Sequence, residues 1–380
     1  MNGAKLSVLK VGGSLLRDAK SYITVAEYTK RAFLENGLKP IVVVSAMKGV
    51  TDLLIGVSEG NMEAIKEVSY KYVEVAKELN SSYLIRKVNE EIEDLEKAAR
   101  NLETSTPATR DLILSYGERL SKNVFAEALE IVGVNAYGLD ARELIVTNDV
   151  HGDATVDYNA TKKHLEEVYP VIVEKPAIPV IEGFVGKSRN GKITTLGRGG
   201  SDYTATTIAS LLSIEDVYLV TEVDGILSAD PRLISSARIV PVMDYDEAAE
   251  ASCHGVKGIN PKTFEPLKEF YGSTVHIGSL KRFGTRIVKQ LREDVAQPKI
   301  LVYRNLGDRP YLAVIGRCVC RARFLVSVLE LLAEEGIEFA GLEVHVNKPS
   351  LLVYLKTSLK PGTLIHLHKK LLEGGNGVEA

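Results

Sequence analysis

Short runs of β-branched and other apolar residues alternate in this chain with longer amphipathic stretches, and this alternation is the strongest constraint on the fold. The run Ile41-Val-Val-Val-Ser45 is apolar like a strand that is buried on both faces. An earlier run begins at Leu6 and ends at Gly12-Gly13, and a helical pattern follows it. Further strand-like runs lie at residues 135–139, 177–181, 193–196 and 217–221, with helical patterns at 21–36, 61–133 and 202–212. This order predicts an α/β fold with an open, mainly parallel sheet sandwiched by helices.

The pattern changes after a polar interruption between residues 283 and 298. Beyond it, strand-like runs at 300–303, 311–315, 338–344 and 351–355 alternate with helical patterns at 324–335 and 362–372. A ββαββα order predicts a small α+β unit. We therefore expect a larger domain at residues 1–285 and a smaller one at residues 296–380.

Charge and composition exclude several classes of protein. The chain of 380 residues has 47 Lys and Arg against 50 Asp and Glu, a net charge of −3, and its basic residues are scattered. This argues against nucleic acid or a membrane surface as a partner. No apolar run approaches the roughly 18 residues of a membrane span, and no signal-type segment opens the chain, so we expect a cytoplasmic protein. Its three cysteines favour reduced thiols over a disulfide or metal site.

Two glycine-containing loops follow predicted strands. In the first loop, Lys10 precedes Gly12, Gly13 and Ser14. Glycines there let backbone N–H groups approach a phosphate, although a glycine pair after a strand is more often a plain tight turn.

The second loop, Thr194-Thr-Leu-Gly-Arg-Gly-Gly-Ser-Asp202, is more informative because it joins a predicted strand to a predicted helix. Its glycines expose N–H donors toward the helix N-terminus, which suits phosphates. Arg198 could hold a carboxylate or a phosphate through two parallel hydrogen bonds. Asp202 either caps the helix or orients lysines or a magnesium ion.

Other polar residues are ambiguous when each is considered alone. Ser45 and Thr51 follow a buried strand at the end where ligands gather in open α/β sheets. Glu118 and Arg119 interrupt a helical pattern and could form a surface ion pair. Lys257 could be a solvated lysine. The chain lacks a complete P-loop, the protein kinase motifs and the Gly-x-Ser-x-Gly elbow of hydrolases.

Six motifs in a fixed order make this chain resemble the aspartate kinase branch of the amino acid kinase family over about residues 5–285. They are Lys-Val-Gly-Gly-Ser, Val-Ser-Ala-Met-Lys-Gly-Val-Thr, Ser-Tyr-Gly-Glu-Arg-Leu-Ser, Thr-Leu-Gly-Arg-Gly-Gly-Ser-Asp, Val-Asp-Gly-Ile-Leu-Ser-Ala-Asp-Pro-Arg and Asn-Pro-Lys-Thr. Each motif is weak by itself, and the order makes the resemblance specific.

The resemblance implies roles for individual residues. Lys10 would neutralise the transferred phosphoryl group and Asp202 would organise that lysine. Glu118 would bind the substrate ammonium group and Arg198 its α-carboxylate. The remaining residues implied in substrate binding are Ser45, Thr51, Thr195 and Ser201, and those implied in nucleotide binding are Gly12, Gly13, Ser14, Thr221, Glu222, Arg232 and Lys257. The implied cofactors are ATP and Mg²⁺ held mainly by the phosphates, with no metal site of the protein's own.

The sequence also departs from the family pattern. Leu15, Glu222, Leu227 and Asn260 replace residues that the family motifs usually have. The C-terminal unit resembles an ACT domain, but there is room for about one such domain, where the family usually has two. The first loop of that unit lacks the usual Pro-Gly character. These departures favour a homodimer formed through the ACT-like unit over feedback control by lysine or threonine.

The resemblance implies an ATP-dependent kinase that converts L-aspartate to 4-phospho-L-aspartate, the first step toward lysine, threonine and methionine. The alternative is a paralogue that phosphorylates the hydroxyl of homoserine or another small amino acid. A third hypothesis is a non-catalytic, amino-acid-sensing subunit. Retention of Lys10, Arg198 and Asp202 together argues against that third hypothesis.

Overall fold

The computed structural model describes residues 4–100, 106–291, 297–306, 309–345 and 347–372. The strands are β1 (Lys5–Val11), β2 (Leu38–Val44), β3 (Ala136–Leu139), β4 (Val146–Thr147), β5 (Ile178–Glu182), β6 (Val185–Ser188), β7 (Ile193–Thr195), β8 (Asp216–Val220), β9 (Val242–Asp244), β10 (Thr274–Gly278), β11 (Thr285–Val288), β12 (Ile300–Leu306), β13 (Arg309–Ile315), β14 (Phe339–Val344) and β15 (Ser350–Leu355). The helices are α1 (Ala19–Ala32), α2 (Val50–Ser58), α3 (Glu63–Glu78), α4 (Ser82–Arg100), α5 (Pro107–Ile131), α6 (Ala141–Leu144), α7 (Tyr158–Glu174), α8 (Gly200–Leu211), α9 (Tyr245–Cys253), α10 (Glu265–Glu269), α11 (Ala322–Glu334) and α12 (Pro361–Leu372).

The chain divides into two compact units. Unit 1 consists of Met1–Glu222 and Lys262–Leu280, and unit 2 of Val223–Pro261 and Lys281–Ala380. Residues 223–261 are thus grouped with the C-terminal part of the chain, whereas the sequence pattern assigns them to the larger domain. Residues 292–296, which belong to the expected boundary, and residues 373–380, at the end of the expected smaller domain, lie outside the described residues.

The main sheet of unit 1 has the strand order β3-β5-β2-β1-β8-β10, and every neighbouring pair is parallel. Strand β2 is buried along most of its length because helices cover the sheet, and α5 and α8 contact it directly. A smaller sheet has the order β4-β6-β7. The predicted α/β class with a mainly parallel sheet is confirmed.

Local sequence accounts for where several helices of unit 1 begin. Asp18 accepts a hydrogen bond from the backbone N–H of Ser21 in a capping box at the start of α1. Thr106 caps α5, and Pro107 occupies its first turn, where a missing N–H costs nothing. Helix α5 runs for 25 residues and carries the Gly117-Glu118 pair into the interior of unit 1.

Unit 2 contains a four-stranded antiparallel sheet with the order β12-β13-β15-β14. Helices α11 and α12 bury their apolar faces in the same core as this sheet. The predicted ββαββα order is confirmed, and β9 and β11 add a parallel pair to unit 2. Among helices in the described part of the chain, none combines the length and apolar character needed to cross a membrane.

A buried ion pair lies within unit 2. The Nζ of Lys299 lies 2.6 Å from Oε2 of Glu247, and the two side chains are 3% and 0% exposed. Burial raises the pKa of Glu247, and the adjacent Lys299 opposes this. The backbone N–H groups of Asp244 and Arg317 also donate to the Glu247 carboxylate, which compensates for its lost hydration.

Replacing Lys299 by methionine should lower the free energy of unfolding by about 3–5 kcal/mol, because it leaves the Glu247 charge buried without its cation. Urea unfolding followed by circular dichroism measures the effect. The exposed Lys289→Met variant is the matched control, since that lysine is also in unit 2. Equal midpoints for the two variants would contradict the expectation.

Candidate active site

A cleft of about 450 Å³ opens in unit 1 beside the carboxyl ends of β1 and β2. Ligands gather at this edge of parallel sheets because the loops that follow neighbouring strands meet there. Nine of the residues that the sequence implicated line the cleft: Lys10, Gly13, Ser14, Ser45, Thr51, Glu118, Arg198, Ser201 and Asp202. Residues that are far apart in the sequence are therefore brought together by the topology of one sheet.

The lysine of the first loop is paired inside this cleft. Lys10 lies near the end of β1, and its Nζ is 2.7 Å from Oδ1 of Asp202, with side-chain exposures of 11% and 13%. Asp202 lies in the first turn of α8, whose N-cap is Gly199, so the carboxylate does not cap the helix. The pair gives the cleft an ammonium group that is held in a fixed position, where it is suited to form a charge-assisted hydrogen bond to an anionic group such as a phosphate.

Two glycines have backbone requirements that explain the shape of the cleft. Gly199 has a φ of 73°, in the left-handed region, at the start of α8. At Gly13, a Cβ atom would collide with the backbone oxygen of Ala46. The first loop and the segment after β2 can therefore approach each other only because residue 13 has no side chain.

Glu118 is buried rather than part of a surface ion pair. It is 4% exposed, and its Oε2 has no hydrogen-bond partner within the described protein. Burial raises the pKa of Glu118 to about 8, although the backbone N–H of Ala46 opposes the shift. A buried carboxylate oxygen without a partner in a cleft is suited to receive a cationic group from a ligand.

The local packing explains how Glu118 reaches this place. A Cβ atom on Gly117 would lie 2.8 Å from that of Ala46, so the glycine allows α5 to approach the segment after β2. The Tyr72 hydroxyl donates to the Gly117 carbonyl oxygen at 2.9 Å and accepts from the Met47 N–H at 3.2 Å. Arg119 is also buried, and its ion pair is with Glu91 at 2.6 Å rather than with Glu118.

The other implicated residues lie elsewhere. Gly12 is next to the cleft and donates its N–H to the Val220 carbonyl. Thr195 is buried and donates its hydroxyl to Asp111 at 2.6 Å. Thr221 follows β8, and Glu222 is paired with Arg17.

Arg232 and Lys257 lie in unit 2, where both line a separate, largely apolar cavity of about 310 Å³. Arg232 donates to the adjacent Asp230 carboxylate, with an Nη2 to Oδ2 distance of 2.6 Å. The cavity therefore combines apolar walls with three cationic side chains, those of Arg232, Lys257 and Arg304, and with the carboxylate of Asp230.

Sequence reasoning missed Lys48, Asp52 and Phe184, which also line the cleft. Phe184 has a φ of 69°, a conformation that costs a non-glycine residue about 1–3 kcal/mol. Its N–H donates to the Thr204 hydroxyl at 3.1 Å, and its carbonyl accepts from Leu196 at 2.9 Å. No sequence signal marks such a position, whereas Lys48 lies within a motif that was singled out and Asp52 directly follows that motif.

Comparisons with known proteins agree with this geometry. The model of the amino acid kinase family matches residues 5–279. Aspartokinase 1, chloroplastic, of Arabidopsis thaliana is 34% identical over 282 residues, which cover 69% of this chain and 48% of the relative. The lysine-sensitive aspartokinase 3 of Escherichia coli K12 is 31% identical and covers 88% of this chain and 75% of its own length.

A solved structure, that of E. coli aspartokinase III in complex with aspartate and ADP, superimposes with a TM-score of 0.73 at 26% identity. The superposition covers 97% of this chain and 84% of that one. The chain spans about half the length of the plant relatives that it matches. Because the family model matches most of the chain and the E. coli relative aligns over three quarters of its own length, this chain belongs to the amino acid kinase family, in its aspartokinase branch.

Proposed function

We propose that this chain is an ATP-dependent kinase that phosphorylates the side-chain carboxylate of L-aspartate. The observation that carries the proposal is the unit 1 cleft, where the buried Lys10–Asp202 pair and the half-satisfied carboxylate of Glu118 line one cavity. The aspartokinase relatives support the assignment, as does a structural neighbour determined with aspartate and ADP.

The protein would bind both the α-ammonium group and the α-carboxylate of the substrate. The free Oε2 of Glu118 would accept a hydrogen bond from the ammonium group, and the exposed guanidinium of Arg198 would bind the α-carboxylate. Ser45, Thr51 and Ser201 would supply hydroxyl groups along the cleft.

The phosphoryl group that is transferred would bind beside the first glycine-containing loop, next to Lys10. Lys10 would neutralise the charge that develops on the transferred group while Asp202 keeps its ammonium in place. Gly13 and Ser14 would provide backbone and hydroxyl donors to the phosphates, while Gly12, whose N–H is bonded to the Val220 carbonyl, would leave room for them beside the loop. An oxygen of the aspartate side chain would attack the γ-phosphorus as the bond to ADP breaks, giving 4-phospho-L-aspartate and ADP. A carboxylate is already ionised near neutral pH, so this nucleophile needs no base.

Nucleotide binding is proposed for Thr221 and Glu222 in unit 1, and the same role for Arg232 and Lys257, which lie in unit 2, stays a prediction from the sequence. The apolar walls of the unit 2 cavity suit an aromatic base, and its cations suit an anionic group. Magnesium would arrive with the nucleotide, since such ions are held largely by phosphates and water with one or two carboxylates. Asp52 and Asp202 offer carboxylates in the cleft, and the ion would neutralise phosphate charge.

Two further predictions remain from the sequence. Dimerisation through the antiparallel sheet of unit 2 is supported by the apolar side chains of Phe339 and Leu342, which are exposed on the edge strand β14. A cytoplasmic location also stays a prediction.

The acceptor is tested by incubating the chain with Mg-ATP and hydroxylamine, with aspartate or homoserine in parallel. We expect a hydroxamate from aspartate, because hydroxylamine captures an acyl phosphate. ADP release with homoserine and no hydroxamate from aspartate would move the protein to the homoserine alternative. If neither acceptor gives hydroxamate or ADP, the result would favour the non-catalytic sensing subunit.

Replacing Lys10 by methionine should lower the rate of hydroxamate formation by at least about 10³-fold, because a pre-positioned charge at the transferred group is lost. The exposed Lys20→Met variant, from helix α1, is the control for removing a lysine and should keep the rate of the parent. A rate for Lys10→Met near that of the parent would remove Lys10 from the catalytic role.

The raised pKa of Glu118 predicts a pH-dependent affinity for aspartate. Below pH 8 the empty site holds Glu118 protonated, so binding an ammonium group must first release that proton. The Kd for aspartate should therefore fall by up to about tenfold per pH unit from pH 6 and level off above about pH 8. Isothermal titration calorimetry measures this change.

Two comparisons isolate the contribution of Glu118 to that profile. Glu118→Gln should bind aspartate more weakly and lose the pH dependence, because the amide has no proton to release in this range. Succinate, which lacks the ammonium group, should not gain affinity for the parent protein as the pH rises. A flat profile for aspartate with the parent protein would exclude Glu118 as the ammonium ligand.

A further inference from the structure

Asp111 is a fully buried carboxylate that the proposed chemistry does not use. It lies on α5 and is 0% exposed. Its Oδ1 accepts the Thr195 hydroxyl at 2.6 Å, and its Oδ2 accepts the N–H groups of Thr195 at 3.1 Å and Gly152 at 3.0 Å. His151 Nδ1 lies 2.8 Å from the same oxygen. Through these four contacts, the Asp111 carboxylate connects α5 to the end of β7 and to the turn at residues 151–153.

One of these segments leads directly to Arg198. Thr195 is the last residue of β7, and the loop that follows carries Arg198 and Ser201 into the cleft. Because Thr195 is held by both its N–H and its hydroxyl, the start of this loop is fixed against α5. Thr195, which the sequence implicated in substrate binding, therefore contacts Asp111 with both of its donors. In this inference its role is to anchor the loop and not to touch the substrate.

The second segment supports the same loop from another side. A Cβ atom on Gly197 would collide with Oδ1 of Asp153 and would lie 3.1 Å from the Gly152 carbonyl oxygen. The Lys262 ammonium is 2.5 Å from that Asp153 oxygen. The turn at residues 151–153, which Asp111 holds through His151 and Gly152, therefore packs against the glycine beside Arg198.

Helix α5 carries the other half of the substrate site. Glu118 is seven residues after Asp111, about two helical turns, so the two carboxylates lie on the same side of one rigid element. A single helix thus holds Glu118 itself and, through Asp111, the loop that bears Arg198.

We propose that Asp111 is a positioning residue that fixes the Arg198 loop relative to Glu118 and so sets the spacing between the sites for the α-carboxylate and the ammonium group. The inference rests on the proposed roles of Glu118 and Arg198. It makes Asp111 a determinant of the preference for α-amino acids, although the side chain contacts no substrate atom.

The test compares two ligands that differ by one group. Aspartate carries the α-carboxylate, and β-alanine is the same molecule without it. In Asp111→Asn, the amide cannot accept hydrogen bonds at both positions, so the loop loses an anchor. The Kd for aspartate should rise by at least about tenfold, while the Kd for β-alanine and for ADP should change less than about twofold. The ratio of the two amino acid affinities should therefore fall by at least about fivefold.

Matched variants keep the test decisive. Thr195→Val removes the hydroxyl but keeps the side-chain shape, and it should reproduce the selective loss even if Asp111→Asn folds poorly. Asp149→Asn removes an exposed carboxylate near the same turn and should leave both Kd values unchanged. Unchanged aspartate binding, or equal losses for aspartate and β-alanine, in Asp111→Asn and Thr195→Val would overturn the inference. Failure of the parent protein to bind aspartate would instead refute the proposed function.

Discussion

The ionisable side chains that helix α5 buries impose the constraint on which the organisation of unit 1 depends. A buried charge is expensive unless neighbouring groups satisfy it. Asp111 accepts hydrogen bonds from backbone and side-chain donors of two segments. Arg119 is paired with Glu91 and lies over the Tyr116 ring, although its Nε has no hydrogen-bond partner within the described protein. Of the two buried carboxylates Asp111 and Glu118, only Glu118 has an oxygen without a partner within the described protein. The helix therefore orders the structure at two positions and leaves a third for a ligand.

The sequence predicted the elements whose physics is local. The run Ile41-Val-Val-Val-Ser45 has the apolar character of a strand buried on both faces, and β2 is such a strand. The Thr194–Asp202 segment combines glycines, a guanidinium and a carboxylate between a strand and a helix. These signals, together with the resemblance, led to most residues of the cleft. The helix α7 was missed because Pro170 lies inside it and interrupts a helical pattern.

The sequence could not show which ionisable side chains are buried, nor which residues far apart in the chain contact each other. Composition alone gave a surface ion pair of Glu118 and Arg119 the same standing as a functional site, and only the packing of α5 against Ala46 distinguishes them. Asp111 carried no signal at all, since its partners are about 40 and 84 residues away in the chain. The left-handed backbone of Phe184 is likewise fixed by Thr204 and Leu196 rather than by its own preferences.

The unsatisfied oxygen of Glu118 connects stability to function. In the empty cleft, burial favours the protonated carboxyl and raises the pKa of Glu118 to about 8. Between the ordinary pKa and about 8, the unfolded chain ionises this group while the folded protein keeps it protonated, so the free energy of unfolding falls as the pH rises. In the proposed function, the ammonium group of the substrate would supply the missing partner, and a cationic ligand would relieve this destabilisation. An uncharged group of the same size would leave the carboxyl protonated and would form no ion pair with it. If Glu118 binds the ammonium group as proposed, discrimination for an α-amino group would follow from an unsatisfied oxygen in the empty cleft. It would then depend on a fixed distance between Glu118 and the loop that bears Arg198.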